Sequence, residues 1–207
     1  STVNIMAAAS EIGCRRILLT NSLEEPDLGD PSSIPSSPYA AAKWASSGYA
    51  RMFHALYRLP VVILRLFMVY GPAQQDPGKL IPYVTRCLLG GEAPRLTSGQ
   101  RDVDWIYVDD VVDGIIAAAE ASKVEGKTID IGSGELVSIR NVVDQLVGLI
   151  NPPIQPIFGA LAERPLEQVR KANVAVALAQ IGWKPKTSLT EGLENTVNWF
   201  RQEAKEA

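Results

Sequence analysis

The sequence predicts an α/β fold in which short buried strands alternate with helices. Two apolar runs bounded by turn residues, 15–20 and 60–66, are typical of strands that are buried on both faces of a parallel sheet. The longer segments between such runs carry apolar residues every three or four positions, which is the period of an amphipathic helix. Because parallel strands need crossover connections that are usually helical, this alternation favours parallel pairing in a layered α/β fold.

The elements follow in a regular order. Gly13 and the pair Gly90-Gly91 mark helix ends, and Asp109 and Asp110 are predicted to cap the helix that follows them. The proline-rich stretch 151–165 is predicted to be irregular. Strands are predicted over 15–20, 60–66, 103–108 and 128–132, and helices over 1–12, 39–57, 79–90, 110–121, 138–150, 173–181 and 188–204.

Composition limits the classes of function. The chain has 207 residues, a formal net charge of −3 and no clustered basic face, which argues against nucleic acid or an anionic membrane as a partner. No apolar run reaches the roughly 18 residues of a membrane-spanning helix, and no signal peptide is visible. Cys14 and Cys87 lie in unrelated contexts and His54 is the single histidine, so we predict two buried thiols in a reducing cytoplasm and no metal site.

The segment 37–53, SPYAAAKWASSGYARMF, places a tyrosine and a lysine four positions apart in a predicted helix. Residues so spaced share a helix face about 5–6 Å apart, so Tyr39 and Lys43 are expected to meet. A phenol is a weak acid–base at neutral pH, and an ammonium beside it favours the phenolate by lowering the phenol pKa. The pair is a candidate acid–base, and a chance spacing in an ordinary amphipathic helix is the alternative.

Two hydroxyl side chains, Thr20 and Ser22, lie at or just past the end of the first predicted strand. Ligands of open α/β sheets bind at the carboxyl ends of the strands. A hydroxyl there could hold a reacting substrate oxygen beside the Tyr39–Lys43 helix, so three features converge on one edge of the sheet.

Six runs, in order along nearly the whole chain, form a recognisable set: NIMAAASEIGCRRILLTNS, SPYAAAKWASSGYA, LPVVILRLFMVYGP, RDVDWIYVDDVVDGI, TIDIGSGELVSIRNVV and LAQIGWKPKTSLTEGLENTVNWF. This set resembles the extended short-chain dehydrogenase/reductases, the NAD-dependent epimerase/dehydratase family that modifies nucleotide sugars. The resemblance implies a Rossmann-type doubly wound parallel sheet with a smaller C-terminal α/β substrate-binding region. It places residues 1–72 in the Rossmann part and residues 73–207 mainly in the substrate-binding part, with some segments returning to the sheet.

The resemblance also assigns roles. Tyr39 would exchange a proton with a sugar hydroxyl or its ketone, and Lys43 would lower the pKa of that phenol and hold the nicotinamide ribose. Ser22, or Thr20 in its place, would orient the reacting oxygen. Tyr39 and Lys43 would thus also contact the cofactor, NAD or NADP, and the same matching run adds Phe67 and Val69 as further cofactor contacts.

Other positions concern the substrate and partly depart from the family pattern. Met68 stands where an asparagine often contacts the substrate diphosphate, and it is either a substrate contact or a core residue. Val103 replaces a usual arginine, and Arg101, on the same strand face, could reach the same phosphate or be solvated. Arg164 matches a second phosphate-binding arginine or is a surface residue, and Lys79 is a further candidate for substrate binding.

Glu24 is the residue that bears on whether the enzyme is a dehydratase or an epimerase. Dehydratases of the family place an acid just after the Ser/Thr, and Glu24 has the matching offset, although an acidic pair in a polar loop is commonly solvated surface. We therefore predict a nucleotide-sugar 4-epimerase-like enzyme that works through a 4-keto intermediate. The alternatives are a 4,6-dehydratase, a 4-ketoreductase, a reductase of a non-sugar ketone and a non-catalytic fragment.

Two further expectations come from the resemblance. No run matches the Gly-x-x-Gly-x-x-Gly turn that holds the NAD pyrophosphate, so we expect the N-terminal half with that turn to be absent and this chain alone to bind NAD weakly or not at all. A possible homodimer would pair the helix before the Ser22 strand with the helix at 39–57. Its seam would include Ala50, Met52, Phe53, Leu56 and Tyr57, which fit a buried core face equally well.

Overall fold

The structure, a computed structural model, describes residues 2–26, 33–74 and 76–206. Within these ranges no helix is both long and apolar enough to cross a membrane. The helices are α1 (Thr2–Ile12), α2 (Pro38–Tyr57), α3 (Leu80–Leu89), α4 (Val108–Glu120), α5 (Ile139–Ile150), α6 (Val174–Ile181) and α7 (Leu189–Glu206). The strands are β1 (Ile17–Ser22), β2 (Val61–Leu66), β3 (Met68–Tyr70), β4 (Asp102–Tyr107), β5 (Thr128–Ile131) and β6 (Leu136–Ser138).

The first sheet is parallel and has the strand order β1-β2-β5. Alternate side chains of β2 lie in two different hydrophobic cores, one on each face of the sheet, because successive residues of a strand point to opposite faces. Val61 and Ile63 pack with residues of α1 and α2, whereas Val62 and Leu64 pack with residues of α4 and α6. A parallel sheet with helices on both faces confirms the prediction of a doubly wound α/β fold.

The second sheet, β3-β4-β6, lies beyond the end of β2 and packs against α3, α5 and α7. Phe67 is the one residue between β2 and β3, so a continuous segment of chain passes from the first sheet into the second. Strand β6 pairs antiparallel with β4, which departs from the parallel pairing that the alternation of strands and helices favours. Neither β3 nor β6 was predicted, because three residues are too few to show a period of two.

Two buried aspartates tie separate segments together. The carboxylate of Asp104 accepts hydrogen bonds from the backbone N–H groups of Ser133, Gly134 and Ala172 and from the Ser133 hydroxyl, at 2.7–3.0 Å. The carboxylate of Asp110 accepts from the N–H groups of residues 186 and 187 at 3.0 Å. The prediction that Asp110 caps its helix was therefore wrong: α4 begins earlier, with Tyr107 at its N-cap. The buried carboxylate instead satisfies N–H groups of a distant segment.

Candidate active site

The start of α2 sets the position of the tyrosine. The Ser37 hydroxyl is the N-cap and accepts from the N–H group of Ala40 at 3.1 Å, and Pro38 occupies the first helical turn. Tyr39 therefore lies in the first turn, half exposed to solvent at 53%. The Lys43 ammonium lies one turn later, 5.7 Å from the centre of the Tyr39 ring. The two side chains share a helix face, as their spacing indicates.

The same lysine reaches the first strand. Its Nζ donates a hydrogen bond to the carbonyl oxygen of Thr20 at 2.8 Å. An ammonium has three donors, so two N–H groups remain for other partners. Lys43 thus lies between the Tyr39 ring and the carboxyl end of β1, which is the edge where ligands of such sheets bind.

The two candidate hydroxyls lie on one face of β1, since they are two residues apart. Thr20 is exposed and Ser22 is buried. The Ser22 oxygen accepts from the N–H group of Glu24 at 3.2 Å, which leaves its hydrogen to be donated elsewhere. Ser22 can therefore donate to a substrate oxygen, and Glu24, which is half-buried, follows it in the same turn.

One member of the acidic pair in this turn is not solvated surface, because Glu25 is only 2% exposed. Its Oε2 accepts from the Ser47 hydroxyl at 2.8 Å. Burial lowers the pKa of the Arg51 guanidinium, and the nearby charge of Glu25 opposes that shift. No sequence signal separates this glutamate from its neighbour, because its burial depends on the packing of α2 against β1.

The remaining cofactor candidates belong mainly to the core. Phe67 is buried and its N–H group donates to the carbonyl of Ile131 at 3.0 Å, so its backbone is paired within the first sheet. Val69 is half-buried in β3. Met68 pairs with Trp105 in the second sheet and packs against both large cores, which supports the core alternative for this residue. Lys79 is exposed at the N-cap of α3.

The candidate phosphate-binding arginines have different surroundings. Arg101 forms an ion pair with Glu167, with Nε and Oε2 separated by 3.1 Å. Arg164 is exposed. Arg170, which sequence reasoning missed, donates from Nη1 to the carbonyl of Leu23 at 3.0 Å and so lies beside the Ser22 turn. Its sequence context contains no motif that would have singled it out.

A doubly wound sheet with a Tyr-x-x-x-Lys helix packed beside a strand that ends in hydroxyl residues defines a site of the short-chain dehydrogenase/reductase class. Residues 1–132 match the NAD dependent epimerase/dehydratase family. The chain belongs to this family, whose members are NAD-dependent enzymes.

Individual relatives agree with this assignment. A UDP-glucose 4-epimerase of Mycolicibacterium smegmatis is 30% identical, with 99% of this chain and 68% of the relative covered. A dTDP-glucose 4,6-dehydratase of an Actinoplanes species is 30% identical, over 81% of this chain and 52% of the relative. The crystal structure of a UDP-glucuronic acid 4-epimerase from Bacillus cereus, in complex with UDP-glucuronic acid and NAD, superposes with a TM-score of 0.87 at 26% identity, covering 98% of this chain and 66% of that one. The chain thus spans between half and about two thirds of the relatives that it matches.

Proposed function

We propose that the natural full-length protein is an NAD- or NADP-dependent nucleotide-sugar enzyme of the 4-epimerase type. The observation that carries the proposal is the position of the Lys43 ammonium, 5.7 Å from the Tyr39 ring centre and 2.8 Å from the end of β1. The 4-epimerases among the relatives support this choice of reaction.

In this proposal Tyr39 is the acid–base. Its exposed phenol oxygen would take the proton of a sugar hydroxyl as the carbon becomes a ketone, and it would return the proton when the hydroxyl re-forms. The positive charge of Lys43 would stabilise the phenolate form of Tyr39, which takes the proton at the start and re-forms when the proton is returned. Ser22 would donate its hydroxyl hydrogen to the same substrate oxygen and so orient it.

The residues present fit the nicotinamide ribose end of NAD(P), because Lys43 has N–H groups that remain available to ribose hydroxyls. Phe67 and Val69 lie at the β2–β3 junction near the carboxyl end of the sheet. The sequence of this chain contains no Gly-x-x-Gly-x-x-Gly turn for the pyrophosphate. When bound, the cofactor would accept a hydride from the sugar carbon and return it.

The substrate would extend over the second sheet. We propose that the boundary between the Rossmann part and the substrate-binding part lies near residue 72. Residues 73–207 would mainly bind the substrate, although β5 returns to the first sheet. Arg101, Arg164 and Lys79 are the basic candidates for the diphosphate, and Arg170 joins them because it lies beside the Ser22 turn.

A 4,6-dehydratase is the second candidate. It is favoured by Glu24, whose N–H group donates to Ser22 and whose half-buried side chain therefore begins beside the Ser22 hydroxyl that would bind the substrate. In such a reaction the carboxylate would take a carbon-bound proton while water leaves the neighbouring carbon. The dTDP-glucose 4,6-dehydratase relatives are consistent with this alternative.

We further propose that the protein is a cytoplasmic homodimer. Of the seam considered from sequence, Ala50 and Phe53 are buried in the core, but Leu56 and Tyr57 on α2 are largely exposed, as is Ile12 on α1. Exposed apolar side chains on two adjacent helices suit a helical interface between copies.

Light scattering coupled to gel filtration tests this proposal: a dimer that Leu56→Glu converts to a monomer supports it, and a monomeric wild type contradicts it.

The proposed reaction is tested on the full-length protein with NAD and NADP and a panel of UDP-, GDP-, CDP- and dTDP-sugars. We expect a thermal shift with at least one nucleotide sugar and its conversion to the C4 epimer, followed by NMR. A 4-keto-6-deoxy product would assign the dehydratase reaction instead. No response to any nucleotide would contradict the nucleotide-sugar proposal.

A further inference from the structure

Three polar side chains are buried together where α2 packs against the end of β1. Asn21, Glu25 and Ser47 are 3%, 2% and 0% exposed. The Asn21 amide donates to the carbonyl oxygen of Lys43 at 3.0 Å and to the Ser47 hydroxyl, and that hydroxyl donates to Glu25 Oε2 at 2.8 Å. We call these three residues the α2 anchor.

The hydrogen bonds of the α2 anchor run in one direction. An amide nitrogen only donates, so the Ser47 oxygen accepts from Asn21 and its own hydrogen goes to Glu25. Rotating the Asn21 amide would bring its oxygen against the carbonyl oxygen of Lys43, which fixes the amide orientation. The chain of donors therefore requires an acceptor at position 25, which a carboxylate provides.

This arrangement is costly for a purely structural contact. A buried carboxylate loses its hydration, and in the described part of the chain Glu25 Oε1 and Asn21 Oδ1 have no hydrogen-bond partner. Arg51 follows Ser47 by one helical turn, and its guanidinium interacts electrostatically with Glu25. The Glu25 carboxylate, from the turn after β1, thus lies against α2 at Ser47 and interacts with the charge of Arg51 on that helix.

The α2 anchor acts on the same lysine that the site uses. The carbonyl of Lys43 is held by Asn21, and its ammonium is held by the carbonyl of Thr20, the residue before Asn21 on β1. Both ends of Lys43 are therefore bound to adjacent residues of one strand. Movement of α2 along β1 would shift both contacts together.

We propose that Ser47 is a positioning residue which, bonded between Asn21 and Glu25, sets α2 against β1 and so holds the Lys43 ammonium at the Thr20 carbonyl. The consequence for catalysis rests on the proposed function of Lys43. The consequence for the position of Lys43 does not, and the two can be measured separately.

The first measurement needs no turnover. Competitive acetylation of the full-length protein, quantified for Lys43 by mass spectrometry below the melting temperature, reports how firmly the amine is held. We expect Ser47→Ala to raise the Lys43 labelling rate several-fold. Ser46→Ala is the matched control, because within the described residues the neighbouring hydroxyl bonds only to the Ala42 carbonyl and to Thr2. It should leave labelling unchanged.

The second measurement uses the active enzyme. Ser47→Ala should lower kcat by tenfold or more with little change in KM, whereas Glu25→Gln, which keeps an acceptor oxygen for Ser47, should retain most of kcat. The proposal would be overturned if Ser47→Ala lowered thermal stability but left Lys43 labelling at the wild-type rate. It would also be overturned if Ser46→Ala changed Lys43 labelling and kcat as much as Ser47→Ala does. If Ser47→Ala does not fold, Ser47→Cys replaces it, since a thiol is a weaker donor of similar shape. It too should raise Lys43 labelling, and unchanged labelling overturns the proposal.

The two proposals fail differently. A wild-type protein with no activity on any nucleotide sugar would refute the proposed function, and the labelling result would still decide whether the α2 anchor positions Lys43. An active wild type with unchanged Lys43 labelling in the Ser47 variants would refute the positioning role alone.

Discussion

Lys43 Nζ lies 2.8 Å from the carbonyl oxygen of Thr20, so the lysine of the Tyr-x-x-x-Lys helix is bound directly to the end of the first strand. This bond joins a local feature, the helical spacing of Tyr39 and Lys43, to a long-range one, the packing of α2 on β1. The acid–base candidate is thereby placed at the edge of the sheet where ligands of this fold bind.

The first prediction concerns the acid–base itself. Tyr39→Phe removes the phenol oxygen and should lower kcat by about a thousandfold or more, because general acid–base catalysis commonly contributes 10²–10⁴-fold. Cofactor affinity should change little, since the ring remains. Steady-state kinetics and NAD titration of the full-length protein provide the measurement.

Tyr49→Phe is the matched control, because Tyr49 is a second exposed tyrosine on α2. It should retain wild-type activity. Full activity of Tyr39→Phe would remove Tyr39 from the mechanism.

The second prediction concerns the buried Asp104. Asp104→Asn replaces one carboxylate oxygen with an N–H donor and sets it against N–H groups that now donate to Asp104. Loss of charge-assisted hydrogen bonds and the new donor–donor contact should cost about 3 kcal/mol of unfolding free energy. Urea denaturation measures the loss. Asp102→Asn, at an exposed position on the same strand, should change the free energy by less than about 0.5 kcal/mol.

The third prediction uses a strained backbone position. Leu166 has a φ of 61° and is exposed, so its side chain contributes little packing while its backbone occupies the left-handed region. Leu166→Gly should stabilise the fold by about 0.5 kcal/mol, because relief of about 1–2 kcal/mol of strain exceeds the entropy cost of glycine. The expected rise in melting temperature is about 1–2 °C.

Leu161→Gly tests the same change at an exposed leucine whose φ is not in the positive region. This variant should be destabilised. A loss of stability in both variants would show that the Leu166 side chain contributes more than its exposure indicates.

The fourth prediction concerns alkaline pH. Burial raises the pKa of Tyr70 and of Tyr107, whose rings are in edge-to-face contact 5.8 Å apart. In the unfolded chain both phenols titrate near pH 10. Their folded pKa values are higher, so their contribution to stability is fully present below pH 10 and is lost as the pH rises from 10 toward the folded values.

Urea denaturation at pH 8 to 11 should therefore show stability falling above pH 10. Tyr70→Phe should reduce the steepness of this decline, because it removes one of the two groups. An identical pH dependence in the variant would exclude Tyr70 as a cause.

The larger elements were predictable because their signals are local. Apolar periodicity marked the helices, and the buried runs marked β1, β2 and β5 with errors of about two residues at their ends. The short strands β3 and β6 escaped prediction, because three-residue strands form only through partners that are distant in the chain. The burial of Glu25 escaped prediction for the same kind of reason, since α2 buries this residue and its neighbours in the chain do not.

The sequence by itself determined that Tyr39 and Lys43 share a helix face and that Ser22 lies near the end of a strand, because helical spacing and strand ends are decided within a few residues. Only the tertiary structure decided which partners these groups have: Lys43 on Thr20, Arg170 beside the Ser22 turn, Arg101 on Glu167. Those contacts join residues from 23 to 147 positions apart. Such pairs are selected by burial and hydrogen bonding in the packed layers, which no local pattern encodes.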